Sequence, residues 1–218
     1  MENNLIDLSL LFTEGIQVVT KEPFEKPDVN FAHVLRTIRS KIPKSIFDCI
    51  DCIYIGKFNF NEECKYEDNA IYVSNSLENE KEIVEYIVHE LGSVVEQQYS
   101  EYLYSDDKLI EEFRKKRNFL LEKIEKKKFD FLEKIDEEEF QNIEYSESFE
   151  KFLFDEIGYS NLKEISKEIF YSPKSALWIE EYFKSGFQAF ILGDKKTLKA
   201  LCPVLYNKIY NCFKKAIV

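Results

Sequence analysis

The sequence predicts a helix-rich α+β fold: a short strand region followed by a mostly helical remainder. Three observations predict it. Two short runs, CIDCIYIGKF (49–58) and NAIYVSN (69–75), alternate or cluster β-branched and aromatic residues between turn residues, the signature of strands. From residue 79 onward the apolar residues recur at three and four, the spacing of one helix face. The chain is 44% hydrophobic but holds only six glycines and five prolines in 218 residues, too few turn formers for a many-stranded β protein.

In order along the chain, residues 1–28 read as an irregular N-terminal arm or linker containing KEPFEKPD, and residues 29–218 as one domain. VNFAHVLRTIRSKI (29–42) carries Phe31, Val34, Leu35 and Ile38 as a helical stripe. After the two strands, residues 79–103 form a helix with Ile83, Ile87, Leu91, Val94 and Val95 on its apolar face. Acidic residues fill its first turns, as the helix dipole favours. A charged helical segment spans 106–150, its first part presenting Ile110, Phe113, Leu120, Leu121 and Ile124, with breaks near 128. Helices follow near 147–156, ending at Gly158, and at 161–170. Pro173 suits the first turn of another helix, which runs to Gly193; two short helices divided by Pro203 complete the chain.

Charge and composition exclude some functions. Thirty Lys and Arg against 41 Asp and Glu leave a net charge of −11, which argues against binding nucleic acid, where clustered cations neutralise phosphates. The basic run EKIEKKKF (122–129) is flanked by acids and reads as a solvated helix face. No run of about 18 apolar residues suggests a membrane span. MENNLIDLSLLF lacks the basic start of a secretory signal. Five cysteines without an export signal read as reduced thiols. Cys49 and Cys52 form a C-x-x-C inside a strand-like run, where residues three apart point to opposite faces, so the pair reads as structural.

One stretch carries chemistry. YIVHELGSVVEQ (86–97) contains H-E-x-x-S. In H-E-x-x-H, residues i and i+4 stack on one helix face, two imidazoles grip a zinc ion at about 2.0–2.1 Å, and the Glu handles the proton of the zinc-bound water. Here His89 and Glu90 stand in place, while Ser93 occupies the second ligand position. Serine is a poor zinc ligand beside His, Cys or carboxylate. The other histidine, His33, lies on a separate helix.

SPKSALWIEEYFKSGFQAFILGDKKTLKALCPVLYNKI (172–209) resembles the C-terminal part of the anthrax lethal-factor-like zinc peptidases. That group includes the clostridial Pro-Pro endopeptidases and phage-encoded metallopeptidase-like sequences. The matching residues are Glu181, Tyr182, Phe183, Phe187, Leu192, Gly193, Asp194, Leu198, Lys199, Pro203 and Tyr206. AIYVSNSLENEKEIVEYIVHELGSVVEQ resembles that family's edge strand and metal helix, so the likeness spans roughly residues 45–210. It implies a zincin-like fold with a small mixed sheet packed on the motif helix, and His89 facing Glu181 across two packed helices.

Residue by residue, the resemblance makes His89 the first zinc ligand, Glu90 the general base and Glu181 the third ligand. It also exposes three departures. Ser93 replaces the second histidine, Ser185 stands where relatives carry a second acid, and Lys174 stands where active members place a tyrosine that stabilises the oxyanion. Losing one of three protein ligands costs zinc affinity heavily. The resemblance therefore implies a catalytically inactive, metallopeptidase-like pseudoenzyme with no resident metal. Its partners would be other proteins of a viral assembly, in the host cytoplasm or in the particle, without nucleic acid or membrane. The alternative is an active zinc metallopeptidase with His89, Glu181 and a further ligand such as Cys64 or His33, and Glu90 as base.

Overall fold

Wherever the chain puts isoleucine and valine at alternate positions, a strand forms. In this computed structural model, which describes residues 16–60, 62–127 and 137–217, β2 (Cys52–Gly56) and β4 (Ala70–Ser74) lie parallel at the centre of a four-stranded sheet, β1-β2-β4-β3. The register sets Ile53 beside Ile71 and Ile55 beside Val73, and all four are buried. The opposite face carries Tyr54 stacked on Tyr72. The fold is thus α+β and helix-rich with a small mixed sheet. Its described residues divide into two compact units, 16–98 with 213–217, and 99–212.

In the first unit, β1 (Gln17–Thr20) pairs parallel with β2, Val18 beside Ile53. This corrects the reading of 1–28 as wholly irregular: Gln-Val-Val-Thr is a four-residue strand too short to show alternation, and its partner lies 35 residues on. β3 (Cys64–Glu67) was also not foreseen. It pairs antiparallel with β4 through a turn at Asp68 and Asn69, both at positive φ (49° and 58°). Such a pair of left-handed residues matches the twist of a two-residue hairpin, and Asp and Asn tolerate it. The C-x-x-C does not lie within one strand. Cys49 sits in the turn after the short helix α2 (Lys44–Phe47), and Cys52 opens β2; both are free thiols.

Helix α1 (Phe31–Arg39) buries Phe31, Val34, Leu35 and Ile38, the stripe read from sequence. Asn30 caps it, accepting the His33 N–H. Helix α3 (Glu80–Tyr104) buries Ile83, Ile87, Leu91, Val94 and Val95 and leaves helical geometry at Tyr99, the first residue of the second unit. Glu80 in its first turn accepts from Asn30 N–H at 3.0 Å and meets His33 Nδ1 at 2.5 Å, joining the starts of α1 and α3. At the other edge of the sheet, Tyr66 Oη donates to Gln97 Oε1 at 3.0 Å.

The second unit is helical: α4 (Lys108–Lys126), α5 (Glu137–Gln141), α6 (Glu147–Lys151), a π-helical run at Phe152–Gly158, α7 (Tyr159–Ser166), a 3-10 turn at Lys174–Ala176, α8 (Ile179–Leu192), α9 (Lys195–Leu201) and α10 (Pro203–Ile217), whose end belongs to the first unit. Gly158, at φ +81°, closes the π run as the sequence suggests. The break expected near 128 falls outside the described residues. The single helix expected from Pro173 to Gly193 is interrupted. Ile179 N–H donates to Ile143 O at 2.9 Å instead of to its own helix, and Trp178 is extended. Pro203 starts a helix of 15 residues rather than a short one.

Gly186 is where α8 meets α10. A Cβ there would stand 2.4 Å from Leu205 Cδ2 and 3.3 Å from Ile209 Cδ1. Gly186→Ala is expected to destabilise the second unit by about 1–3 kcal/mol, despite alanine's better helix propensity. The measurement is a urea midpoint followed by the fluorescence of Trp178, the chain's single tryptophan.

Candidate functional site

Three of the residues singled out from sequence lie on α3, in the first unit. The helical repeat puts His89 and Ser93 on one face. His89 is half-buried, Glu90 is 5% exposed and Ser93 9%. Glu90 has a definite partner: its Oε2 accepts the backbone N–H of Tyr66, on β3, at 3.0 Å. The two other side chains considered as ligands are placed differently from each other. Cys64 is buried on β3. His33 is exposed on α1 with its ring against Glu80; that contact holds the Glu80 carboxyl below the usual range.

The remaining three lie in the second unit. Glu181, 5% exposed in the first turn of α8, accepts the Ser185 hydroxyl at 3.1 Å. Ser185 Oγ in turn meets Ser172 Oγ at 3.2 Å, and Ser172 Oγ meets Ser175 Oγ at 3.0 Å. Ser185 is thus the hydroxyl partner of the carboxylate, in a chain of hydroxyls. Lys174 opens the 3-10 turn and is exposed.

Zinc can be tested against this donor set. Ser93 offers a neutral hydroxyl where a second imidazole is needed. One oxygen of Glu90 and one of Glu181 already accept protein donors. Among the described residues, no three His, Cys, Asp or Glu side chains group so as to hold a metal ion. The motif on α3 is thus one imidazole short of the pair that H-E-x-x-H supplies.

Sequence reasoning missed a second set of polar residues, on α4. Glu112 accepts from Val204 N–H at 2.8 Å and Leu205 N–H at 3.0 Å, in the first turn of α10, and from Tyr182 Oη at 2.8 Å. Lys116 Nζ donates to Ile169 O at 2.5 Å and Leu201 O at 2.6 Å. The Arg117 guanidinium donates to Asn142 O and Glu139 O and lies over the Phe149 ring at 3.8 Å, with Phe113 and Phe140 also within 6 Å. Burial pushes this guanidinium down to about 9, against the opposing charge of Glu139. One helix therefore ties down the ends of several others with charges that look solvent-facing in the sequence. A groove of about 500 Å³ beside it is walled by Lys116, Phe119, Lys123, Glu168 and Leu201, with Lys123 and Glu168 paired at 2.7 Å.

Burial also raises the Tyr182 phenol well above its ordinary 10.0 and raises the Cys202 thiol above 9.0. Both groups release protons more readily when unfolded. Their contribution to stability is full below about pH 9, where both states hold the protons, and falls as pH rises toward the folded-state values. The second unit is expected to lose stability progressively above pH 9, and Tyr182→Phe to flatten that loss. Urea midpoints between pH 7 and 11 measure it.

Comparison with protein-family models, with curated proteins and with solved structures found no match. Among the described residues no helix is long and apolar enough to cross a membrane.

Proposed function

We propose that this chain is a degenerate member of the lethal-factor-like zincins: a pseudoenzyme that acts through protein–protein contacts, as a structural or accessory component of a phage or viral assembly. The observation that carries the loss of catalysis is Ser93 at the second-ligand position, beside two carboxylates that are hydrogen-bonded within the protein. A general base must present a carboxylate oxygen to water, and Glu90 gives one of its oxygens to the Tyr66 peptide N–H. Glu181, the third-ligand position, takes the Ser185 hydroxyl. With Ser93 at the second-ligand position, these three features favour a protein-only hydrogen-bond set over a metal. The order of a strand, a hairpin and a long helix bearing His89-Glu90 supports the zincin reading, and the viral context rests on the resemblance alone.

Elemental analysis of the purified chain tests the proposal. The expected result is zinc well below one equivalent, with a melting temperature unmoved by chelator or by added zinc. Stoichiometric zinc that disappears in His89→Ala would overturn it in favour of a zinc peptidase using His89, Glu181 and Glu90. The assembly role is tested by mass spectrometry of purified particles from the source that encodes the chain: the chain is expected in them, and its absence would leave only the free accessory role.

A further inference from the structure

The backbone register of the β3–β4 hairpin assigns Glu90 a role. Glu67 and Ala70 close the two-residue turn, and Tyr66 faces Ile71 one step further on. In such a hairpin the closing pair exchanges hydrogen bonds and the next pair does not. Ser74 N–H donating to Glu63 O at 2.8 Å marks the same alternation further along the pair. The Tyr66 peptide group therefore points away from β4. Among the described residues β3 is the last strand of the sheet, so this N–H stands on the outer edge, where a further strand would add. It donates instead to Glu90 Oε2, at 3.0 Å.

We propose that Glu90 is an edge plug: its carboxylate occupies the Tyr66 N–H and keeps β3 from pairing with β3 of a second copy of this chain. The excluded partner follows from charge. An antiparallel pairing about a two-fold axis centred on Tyr66 joins the two Tyr66 peptide groups reciprocally. It also sets Lys65 directly opposite Glu67 of the second copy, and Glu67 opposite its Lys65. Within one chain these two side chains already meet at 2.8 Å on the same face of the strand, so both are placed for the exchange. The proposal stands on the register and one hydrogen bond, apart from the zincin reading: zinc content tests that reading, and the Tyr66 amide tests this one.

The experiment uses the full chain and four proteins: wild type, Glu90→Gln, Glu90→Leu, and Glu90→Leu combined with Lys65→Glu. In the wild type, the Tyr66 amide proton is expected to exchange slowly, as a hydrogen-bonded amide does; an unprotected Tyr66 amide would overturn the proposal without any variant. Tyr66 amide exchange is expected to be at least about tenfold faster in monomeric Glu90→Leu than in the wild type, with Glu90→Gln, which keeps an acceptor oxygen, near the wild type. At about 100 μM the Leu variant is expected to sediment as a dimer, and the added Lys65→Glu to return it to monomer by opposing two acids. A folded Leu variant that stays monomeric, or a dimer indifferent to Lys65→Glu, would also overturn the proposal.

Discussion

Arg117→Ala is expected to destabilise the second unit by about 3–5 kcal/mol, the range for emptying a large buried site. Arg117 is 1% exposed. Its loss removes the body that fills the space between Phe113, Phe140 and Phe149 and strips two carbonyls, Glu139 O and Asn142 O, of their donors. Two further variants separate these effects. Arg117→Met keeps the volume and removes the cost of burying a charge, yet leaves the carbonyls unmet, so a loss of about 1–3 kcal/mol is expected. Arg117→Lys keeps the charge but lacks the planar fork that reaches both carbonyls, and should fall between the two. Trp178 fluorescence in urea orders the series. Amide exchange in α5 should accelerate in all three, because the anchor of that helix is what is lost. If Arg117→Ala left the midpoint unchanged, the stacked guanidinium would be idle.

Glu112→Ala is expected to cost about 2–4 kcal/mol. Pro203 has no N–H, so Val204 and Leu205 carry the open donors in the first turn of α10, and one carboxylate satisfies both. A charged acceptor at a helix start adds the dipole interaction to the hydrogen bonds. The Tyr182 hydroxyl, buried and bonded to the same carboxylate, loses its acceptor too. Glu112→Gln keeps one acceptor oxygen and loses the charge, so about half the effect is expected. The readout is the Trp178 unfolding midpoint together with helical circular dichroism; an alanine variant as stable as the wild type would mean that water replaces Glu112 at no cost.

What the sequence disclosed follows from which interactions are local. The stripes of α1 and α3 and the strands β2 and β4 are set by apolar residues at fixed short spacing, and the structure keeps them. On α4 the stripe was displaced: Leu109, Lys116 and Arg117 are buried, where the apolar pattern pointed to Ile110 and Leu121. Lys116 and Arg117 are read as solvent-facing because their partners are carbonyls 22 to 85 residues away, and no local pattern announces them. β1 and β3 are edge strands of four residues whose place is fixed by their neighbours; in Cys-Lys-Tyr-Glu only Cys64 and Tyr66 form an apolar face, too short to announce a strand. Trp178 leaves the helix because of a carbonyl at Ile143, again a distant partner. For the candidate site, the positions of His89, Glu90, Ser93, Glu181 and Ser185 on their helices could be read in advance, whereas the bonds that Glu90 and Glu181 make could not.

The capping charges of α4 also constrain the order in which the chain can mature during synthesis. Glu112 is translated 92 residues before Val204, and Lys116 85 residues before Leu201. At about 5–20 residues per second, these groups wait some 5–20 s for their partners to leave the ribosome, as solvated charges on a helix whose other face is apolar. By contrast the sheet and most of α3 lie within residues 16–98, and residues 213–217 complete their unit. The nascent chain thus carries an α4 whose Arg117 can meet the carbonyls of Glu139 and Asn142 early, while Glu112 and Lys116 wait for the start of α10 and the end of α9, and that interval is when binding by a chaperone at residues 108–126 would matter most.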